Sequence, residues 1–175
     1  MMSTGTAAMS ERLPQGDLRL LETGLAQELL QAPIPARLAF VCTDGTPRVV
    51  PTWFHWTGSE IVMVTFTAGR GIGIRHPAAR IAALRANPRV ALTIDTDSYP
   101  PKSLTVRGTA VISEVAGVAA EYAAAARRYL GQDPAAPMLA ALDQPGTGQA
   151  RIAVRPDWVG LIDFVTRRPS VLGGV

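Results

Sequence analysis

The sequence predicts a mainly β protein with flanking helices, built as one small antiparallel barrel. Six or seven short segments are rich in β-branched and apolar residues, and turn sequences such as Asp44-Gly45-Thr46-Pro47 separate them. Helical patterns occur before and among these segments rather than after every strand, which disfavours a parallel βαβ sheet. Closing the strands into a barrel also removes the exposed edges that such a meander would otherwise have.

The composition indicates one globular domain. The chain has 175 residues, of which 47% are hydrophobic and 18% charged, and these values exclude a disordered chain. No apolar run approaches the roughly 20 residues of a membrane-spanning helix, and the first ten residues do not resemble a signal peptide. The single cysteine, Cys42, excludes a disulfide framework and is expected in the core. We therefore expect a cytoplasmic protein without a membrane partner.

The first half of the chain predicts one helix and a three-stranded meander. Residues 1–16 are expected to form a flexible tail, and 17–175 a single domain. Leucines at spacings of three and four predict a helix over 17–31, which Pro33 ends. Three antiparallel strands with short turns are predicted at 37–43, 48–57 and 60–66.

The second half alternates helices with strands. Pro77 is placed to begin a short helix that ends near Ala86. Amphipathic periodicity predicts a helix over 117–130, and a second short helix follows over 134–142. The remaining strands are predicted at 90–95, 104–113, 152–155 and 158–164.

A local surplus of positive charge predicts an anion site. The net charge is +3, and no acidic residue occurs between Glu60 and Asp95. That window holds Arg75, His76 and Arg80, preceded by a glycine-rich loop. Free backbone N–H groups, an arginine fork and a helix N-terminus are the groups that bind phosphate. The alternative interpretation is a solvated basic loop.

A run of aromatic residues at 53–56 has two interpretations. On a strand, Trp53 and His55 would face one side, with Phe54 and Trp56 on the other. One side could form a wall for a flat ring, or all four residues could belong to an ordinary core.

No motif of nucleophilic or metal-dependent catalysis occurs in the sequence. It contains no G-x-S-x-G, C-x-x-C or H-E-x-x-H pattern, so no catalytic residue and no metal site are assigned. Asp95 and Asp97 could bind a metal or act as an acid–base pair, or they could be the solvated end of a strand.

Four segments in order carry a family resemblance: Leu38–Pro47, Val50–Phe54, Leu84–Leu92 and Val106–Ala110. The sequence resembles the split β-barrel flavin-binding family that includes pyridoxamine 5'-phosphate oxidase and the flavin/deazaflavin oxidoreductases. The resemblance covers about residues 36–164. It implies a split barrel of six to seven strands that forms a homodimer, with the cofactor in a groove between the subunits.

The resemblance also implies which residues bind the cofactor. Pro101 and Lys102 would approach from the partner subunit, and Arg80 stands where many relatives have a phosphate-binding lysine. The full expected set is Pro51, Thr52, Trp53, Thr65, Phe66, Thr67, Arg75, His76, Arg80, Pro101 and Lys102. One departure is the pair Ala82-Ala83, where many relatives have Arg-Asn. This departure removes a basic group, so either the loop arginines contribute more to cofactor binding or the cofactor binds more weakly.

The expected activity is that of an oxidoreductase. The cofactor would be FMN or the deazaflavin coenzyme F-420, and a hydride would move to or from a small organic substrate that the sequence does not identify. The C-terminal arginine and tryptophan pattern of true pyridoxamine phosphate oxidases is not evident, which argues against pyridoxal phosphate synthesis. One alternative is a non-catalytic flavin or haem carrier, with His55 or His76 as an iron ligand. A nucleic-acid-binding barrel is disfavoured, so no nucleic-acid partner is expected.

Overall fold

A computed structural model of the protein describes residues 13–69 and 77–169. Within them, seven strands form one antiparallel sheet, accompanied by a short 3-10 helix and four α-helices. The strands β1 to β7 are Ala36–Val41, Pro47–Thr52, Phe54–Trp56, Ile61–Ala68, Arg89–Asp95, Ser103–Ala116 and Gly148–Ile162. The 3-10 helix is Leu18–Glu22, and α1 to α4 are Gly24–Gln31, Pro77–Ala86, Ala120–Leu130 and Gln132–Leu142. The predicted fold class is confirmed.

The sheet curls until its two edges meet. Its order is β2-β1-β5-β6-β7-β4-β3, so β2 and β3 lie at opposite edges. Only Trp53 separates these two strands in sequence, and consecutive Cα atoms are about 3.8 Å apart. The end of β2 and the start of β3 must therefore lie close together at Trp53, although no strand pairing joins the two edges in the described part of the chain. The result is a barrel that is split rather than closed.

The inside of the curled sheet forms the main core. Strand residues such as Met63, Leu104 and Ile152 are almost fully buried there. Helix α1 adds Leu29 and Leu30, and α2 adds further apolar side chains near the ends of β1 and β4. Cys42 packs against this core while remaining partly exposed.

Helix α3 covers the opposite side of β3 and β4, and α4 packs on α3. They form a small second core of Ala126, Ala135 and Leu139, against which Trp53 and Tyr122 pack. No helix among the described residues is long and apolar enough to cross a membrane.

Several predicted boundaries were wrong, each for a local reason. The helix expected over 17–31 is interrupted at Thr23, whose hydroxyl donates to Leu20 O and accepts from the Ala26 backbone N–H. One threonine thus ends the 3-10 helix and caps α1. The strand expected over 48–57 is broken at Trp53, where the sheet changes edge.

The C-terminal prediction of two strands was also wrong, because β7 runs unbroken past Pro156. The ladder with β6 instead shifts by one residue, so that Gly108 pairs with Pro156 and Asp157 is bulged out.

Part of the expected N-terminal tail is docked on β7: Leu13 is buried, and Gln15 exchanges hydrogen bonds with Leu161.

Candidate cofactor site

Arg80 on α2 reaches across to β4, as the predicted anion site requires. Its Nη1 donates a hydrogen bond of 3.3 Å to Thr65 Oγ1. Burial lowers the pKa of Arg80, and no carboxylate compensates for that burial. A guanidinium carries five N–H donors, and within the described residues Thr65 is the only acceptor that Arg80 contacts. A half-buried cation whose other donors meet no acceptor in the described part of the chain favours an anionic ligand.

Successive residues of β4 lie on opposite sides of the sheet. Thr65 and Phe66 lie on opposite sides, as the period of a strand requires, whereas Thr67 is unpaired where the ladder with β7 shifts register between Phe66 and Ala68. Thr67 packs closely against β7, because a Cβ placed on Gly148 would lie 3.1 Å from Thr67 Oγ1. Two of the three predicted residues of β4, Thr65 and Phe66, therefore belong to different surfaces of the sheet, and Thr67 lies at the bulge.

Phe66 belongs to an aromatic cluster between the sheet and α3. The rings of Phe66 and Tyr122 meet edge to face at 5.2 Å, and Trp53 lies 6.3 Å from Tyr122. Trp53 also stacks on Tyr129 with centroids 5.0 Å apart and planes 5° apart. The cluster of Trp53, Phe66, Tyr122 and Tyr129 thus joins two predicted site residues through two tyrosines that the site prediction missed. Burial raises the pKa of both tyrosines, which keeps them protonated.

Arg128 fixes this cluster to the barrel. Its Nη1 donates to Leu30 O at 2.9 Å, and its Nη2 donates to Phe54 O. The guanidinium lies over the rings of Phe54 and Tyr129, 4.4 and 4.9 Å from their centroids. The only sequence signal for this role was the apolar face of the helix over 117–130, which places Tyr122 and Tyr129 inward.

The remaining predicted residues occupy other positions. Pro51 and Thr52 end β2, and Pro51 is exposed. Pro101 and Lys102 lie in the turn between β5 and β6, where Lys102 Nζ bonds Glu28 of α1 at 2.6 Å. Arg75 and His76 lie outside the described residues.

Asp95 and Asp97, considered above as a metal site or an acid–base pair, have different surroundings. Asp95 forms an ion pair with Arg37, whereas Asp97 lies beyond the end of β5 and is exposed. Among residues 13–69 and 77–169, no three His, Cys, Asp or Glu side chains are grouped as metal ligands would be.

The sequence matches the family model of pyridoxamine 5'-phosphate oxidase over residues 23–162. The chain belongs to this family. The match spans all seven strands of the sheet, and it confirms the family recognised from the four sequence segments. Comparison with curated proteins finds no match.

Several solved structures are similar to this chain in fold. An F-420 reductase is 28% identical, with 77% of this chain and 94% of that chain aligned and a TM-score of 0.55. General Stress Protein 26 from Bacillus anthracis is 17% identical over 83% and 95% of the two chains, with a TM-score of 0.55. The haem storage protein HutZ from Vibrio cholerae is 19% identical over 78% and 90%, with a TM-score of 0.50. The last two support the fold alone.

Proposed function

We propose that this member of the pyridoxamine 5'-phosphate oxidase family binds a flavin-type cofactor and transfers a hydride to or from a small organic substrate. The observation that carries the proposal is Arg80, a half-buried cation with free donors beside the hydroxyl of Thr65. These two groups would hold a cofactor phosphate. Pro51, Thr52 and Trp53 would border the ring system at the open seam of the barrel.

Between the two cofactors, we favour the deazaflavin coenzyme F-420 over FMN. The support is the likeness to the F-420 reductase, at 28% identity over 94% of that chain. Either cofactor, when bound, supplies a ring that carries the hydride. The protein would bind, orient and shield that ring, which is consistent with the lack of a catalytic motif in the sequence.

The proposal includes a homodimer in the cytoplasm. Lys102 and Pro101 lie in the β5–β6 turn, and in the described chain Lys102 pairs with Glu28 rather than with the Arg80 site. They would therefore reach a cofactor only from a second subunit. The exposed side chains of Val41 and Val49 on β1 and β2, at 37% and 65%, support the proposal that this face meets the second subunit.

The test is equilibrium titration of the purified protein with F-420 and with FMN, for the native chain and for Arg80→Gln. Loss of a charged hydrogen bond costs about 1.5–3 kcal/mol, so we expect affinity to fall about ten- to a hundredfold. The matched control is Arg85→Gln, an exposed arginine on the same helix that pairs with Glu114. Unchanged affinity in Arg80→Gln would remove Arg80 from the site.

A haem carrier is the second candidate. His55 is partly buried, and burial is the main cause that lowers its pKa, which favours the neutral imidazole that iron requires. Titration with haemin in the same series decides between the two functions. A shift of the Soret band that His55→Ala abolishes would support a haem carrier. Tight binding of F-420 or FMN, with no such Soret shift, would support the oxidoreductase.

A further inference from the structure

A pocket of about 560 Å³ opens beside the expected cofactor ring. Its walls are the connection from α1 to β1 at 33–35, the end of β2 at Pro51, and the turn after β5 at 95–98. A volume in this range suits a small organic ligand. Pro51 lies two residues before Trp53 of the aromatic cluster, so the pocket begins where the ring system is expected to end.

The walls of this pocket offer few hydrogen-bond donors. Pro33, Pro35 and Pro51 have no backbone N–H. The Thr96 N–H already donates to Lys102 O at 3.0 Å. The Ser98 hydroxyl donates to Thr96 Oγ1 at 3.1 Å, and that oxygen also accepts from the Lys102 N–H. Arg37 is the main donor on the walls, and its Nη1 already donates to Asp95, so a carboxylate or a phosphate would find few further donors here.

The charge of the pocket is negative. Arg37 is its one cation among the described lining residues, and Asp95 neutralises it in an ion pair. Asp97 is exposed and has no ion-pair partner in the described part of the chain. One unpaired carboxylate therefore remains on an otherwise apolar wall, in contrast to the cationic surroundings of Arg80.

We propose that this pocket binds an organic cation, an ammonium or guanidinium group carried on a ring or a short apolar body. The prolines and Ile34 would contact the apolar body, and Asp97 would accept hydrogen bonds from the cationic group. Binding of the cation to this pocket is independent of the proposed function. That the cation is also the substrate rests on the proposed function.

The first experiment measures binding of three probes of one shape to the full-length protein by calorimetry. The probes are benzylammonium, benzyl alcohol and benzoate. We expect benzylammonium to bind about five- to tenfold more tightly than benzyl alcohol, and benzoate to bind most weakly. Raising the salt concentration should reduce this preference. Equal affinities, or no binding of benzylammonium, would overturn the proposal.

Two carboxylate variants locate the site. Asp97→Asn should lower benzylammonium affinity to that of benzyl alcohol and leave the alcohol unaffected. The matched control is Glu22→Gln, because Glu22 lines a different pocket of about 320 Å³ with Trp56 and Pro156. If Glu22→Gln removes the preference and Asp97→Asn does not, the assignment is wrong.

A final titration separates this inference from the proposed function. The probes are added to protein loaded with F-420 or FMN, while the absorption band of the cofactor is recorded. If no cofactor binds but benzylammonium still depends on Asp97, the proposed function fails and the pocket stands. If the cofactor binds and benzylammonium neither shifts its band nor changes in affinity, the cation is not the substrate and that part is overturned.

Discussion

Two partly buried arginines, Arg80 and Arg128, have opposite consequences for function. Arg128 donates to two backbone carbonyls and packs between aromatic rings, so its charge is used within the protein. Arg80 contacts one threonine hydroxyl and no carboxylate in the described residues. Sequence reasoning singled out Arg80 from the basic window after the glycine-rich loop and from its resemblance to a phosphate-binding lysine of relatives, but it did not single out Arg128, because an Arg-Arg pair on a helix is usually solvated.

His55 gives the protein a pH dependence that can be predicted in sign. Burial lowers its pKa below the ordinary 6.5, Arg128 adds to the effect, and Glu121 opposes it. Between the lowered folded pKa and 6.5, the unfolded chain binds more protons than the folded chain. Stability must therefore rise with pH through this window and be lost as the pH falls through it.

The check is urea unfolding of the native chain and His55→Gln at several values of pH around and below 6.5. In His55→Gln, the free energy of unfolding should no longer rise with pH between the lowered pKa of His55 and 6.5. Hydrogen bonds from Arg155 and Arg151 lower the pKa of Glu60 below its ordinary 4.5, so the stability that Glu60 contributes is lost as the pH falls below 4.5, in native chain and variant alike. An identical slope in both proteins would contradict the prediction.

At the scale of elements, the sequence predicted the type of nearly every helix and strand and missed where they break. Hydrophobic periodicity cannot reveal one residue that has two capping roles. Thr23 is such a residue, because it both ends the 3-10 helix and caps α1. Likewise, Trp53 interrupts an apolar run without any turn residue, because the break comes from curling of the whole sheet. Pro156 suggested a gap between two strands, whereas a bulge absorbs it.

Arg128 is predicted to hold α1, β3 and α3 together. Arg128→Leu removes charged hydrogen bonds to Leu30 O and Phe54 O, and leaving buried carbonyls unpaired costs about 3 kcal/mol in total. For a chain of this size, Tm should fall by about 6–12 °C, measured by calorimetry. Arg127→Leu, an exposed neighbour, is the control and should change Tm little. Equal effects of both variants would show that the contacts of Arg128 do not stabilise the fold.

At the scale of the whole molecule, the curl depends on the long β6–β7 ladder. That ladder extends over 14 residues of β6, and its one register shift lies between Arg107 and Gly108. A bulge increases local twist and bends the strands. The same curl brings Trp53 beside β4. The sequence predicted Trp53 and Phe66 as site residues, but it could not predict that Tyr122 and Tyr129 of α3 pack on them. That arrangement depends on contacts between residues far apart in the chain.

Gly108 is predicted to be indispensable for this bend. A Cβ at that position would lie 2.2 Å from Arg155 O, a backbone atom that cannot move aside. Gly108→Ala should cost about 3 kcal/mol, the upper end for overpacking, as measured by urea unfolding. The control is Gly24→Ala at the start of α1, where an added Cβ meets nothing within 4 Å. It should be neutral or stabilising by about 0.5–1 kcal/mol, and a similar loss in both variants would refute the role of the bulge.

The last prediction concerns assembly. On one face of β1 and β2, Val49 is 65% exposed and Val41 lies near it at 37%, beside an open groove of about 320 Å³ that apolar residues and three arginines line. Two β-branched side chains on an uncovered sheet face favour burial against a second copy. The native chain should therefore sediment at twice its 18.5 kDa. Val49→Glu should shift it toward the monomer, because each dimer would bury two unpaired carboxylates.

The control for assembly is Val165→Glu. Val165 is 63% exposed, almost the same as Val49, but it lies in the turn after β7. A general effect of added charge would act on both variants, whereas an interface on β1 and β2 would respond only to Val49→Glu. Because Lys102 is expected to act on the cofactor of the partner, Val49→Glu should also weaken F-420 or FMN binding, with Arg80 intact. A native monomer at micromolar concentration would exclude the homodimer, and with it the contribution of Lys102 to the site.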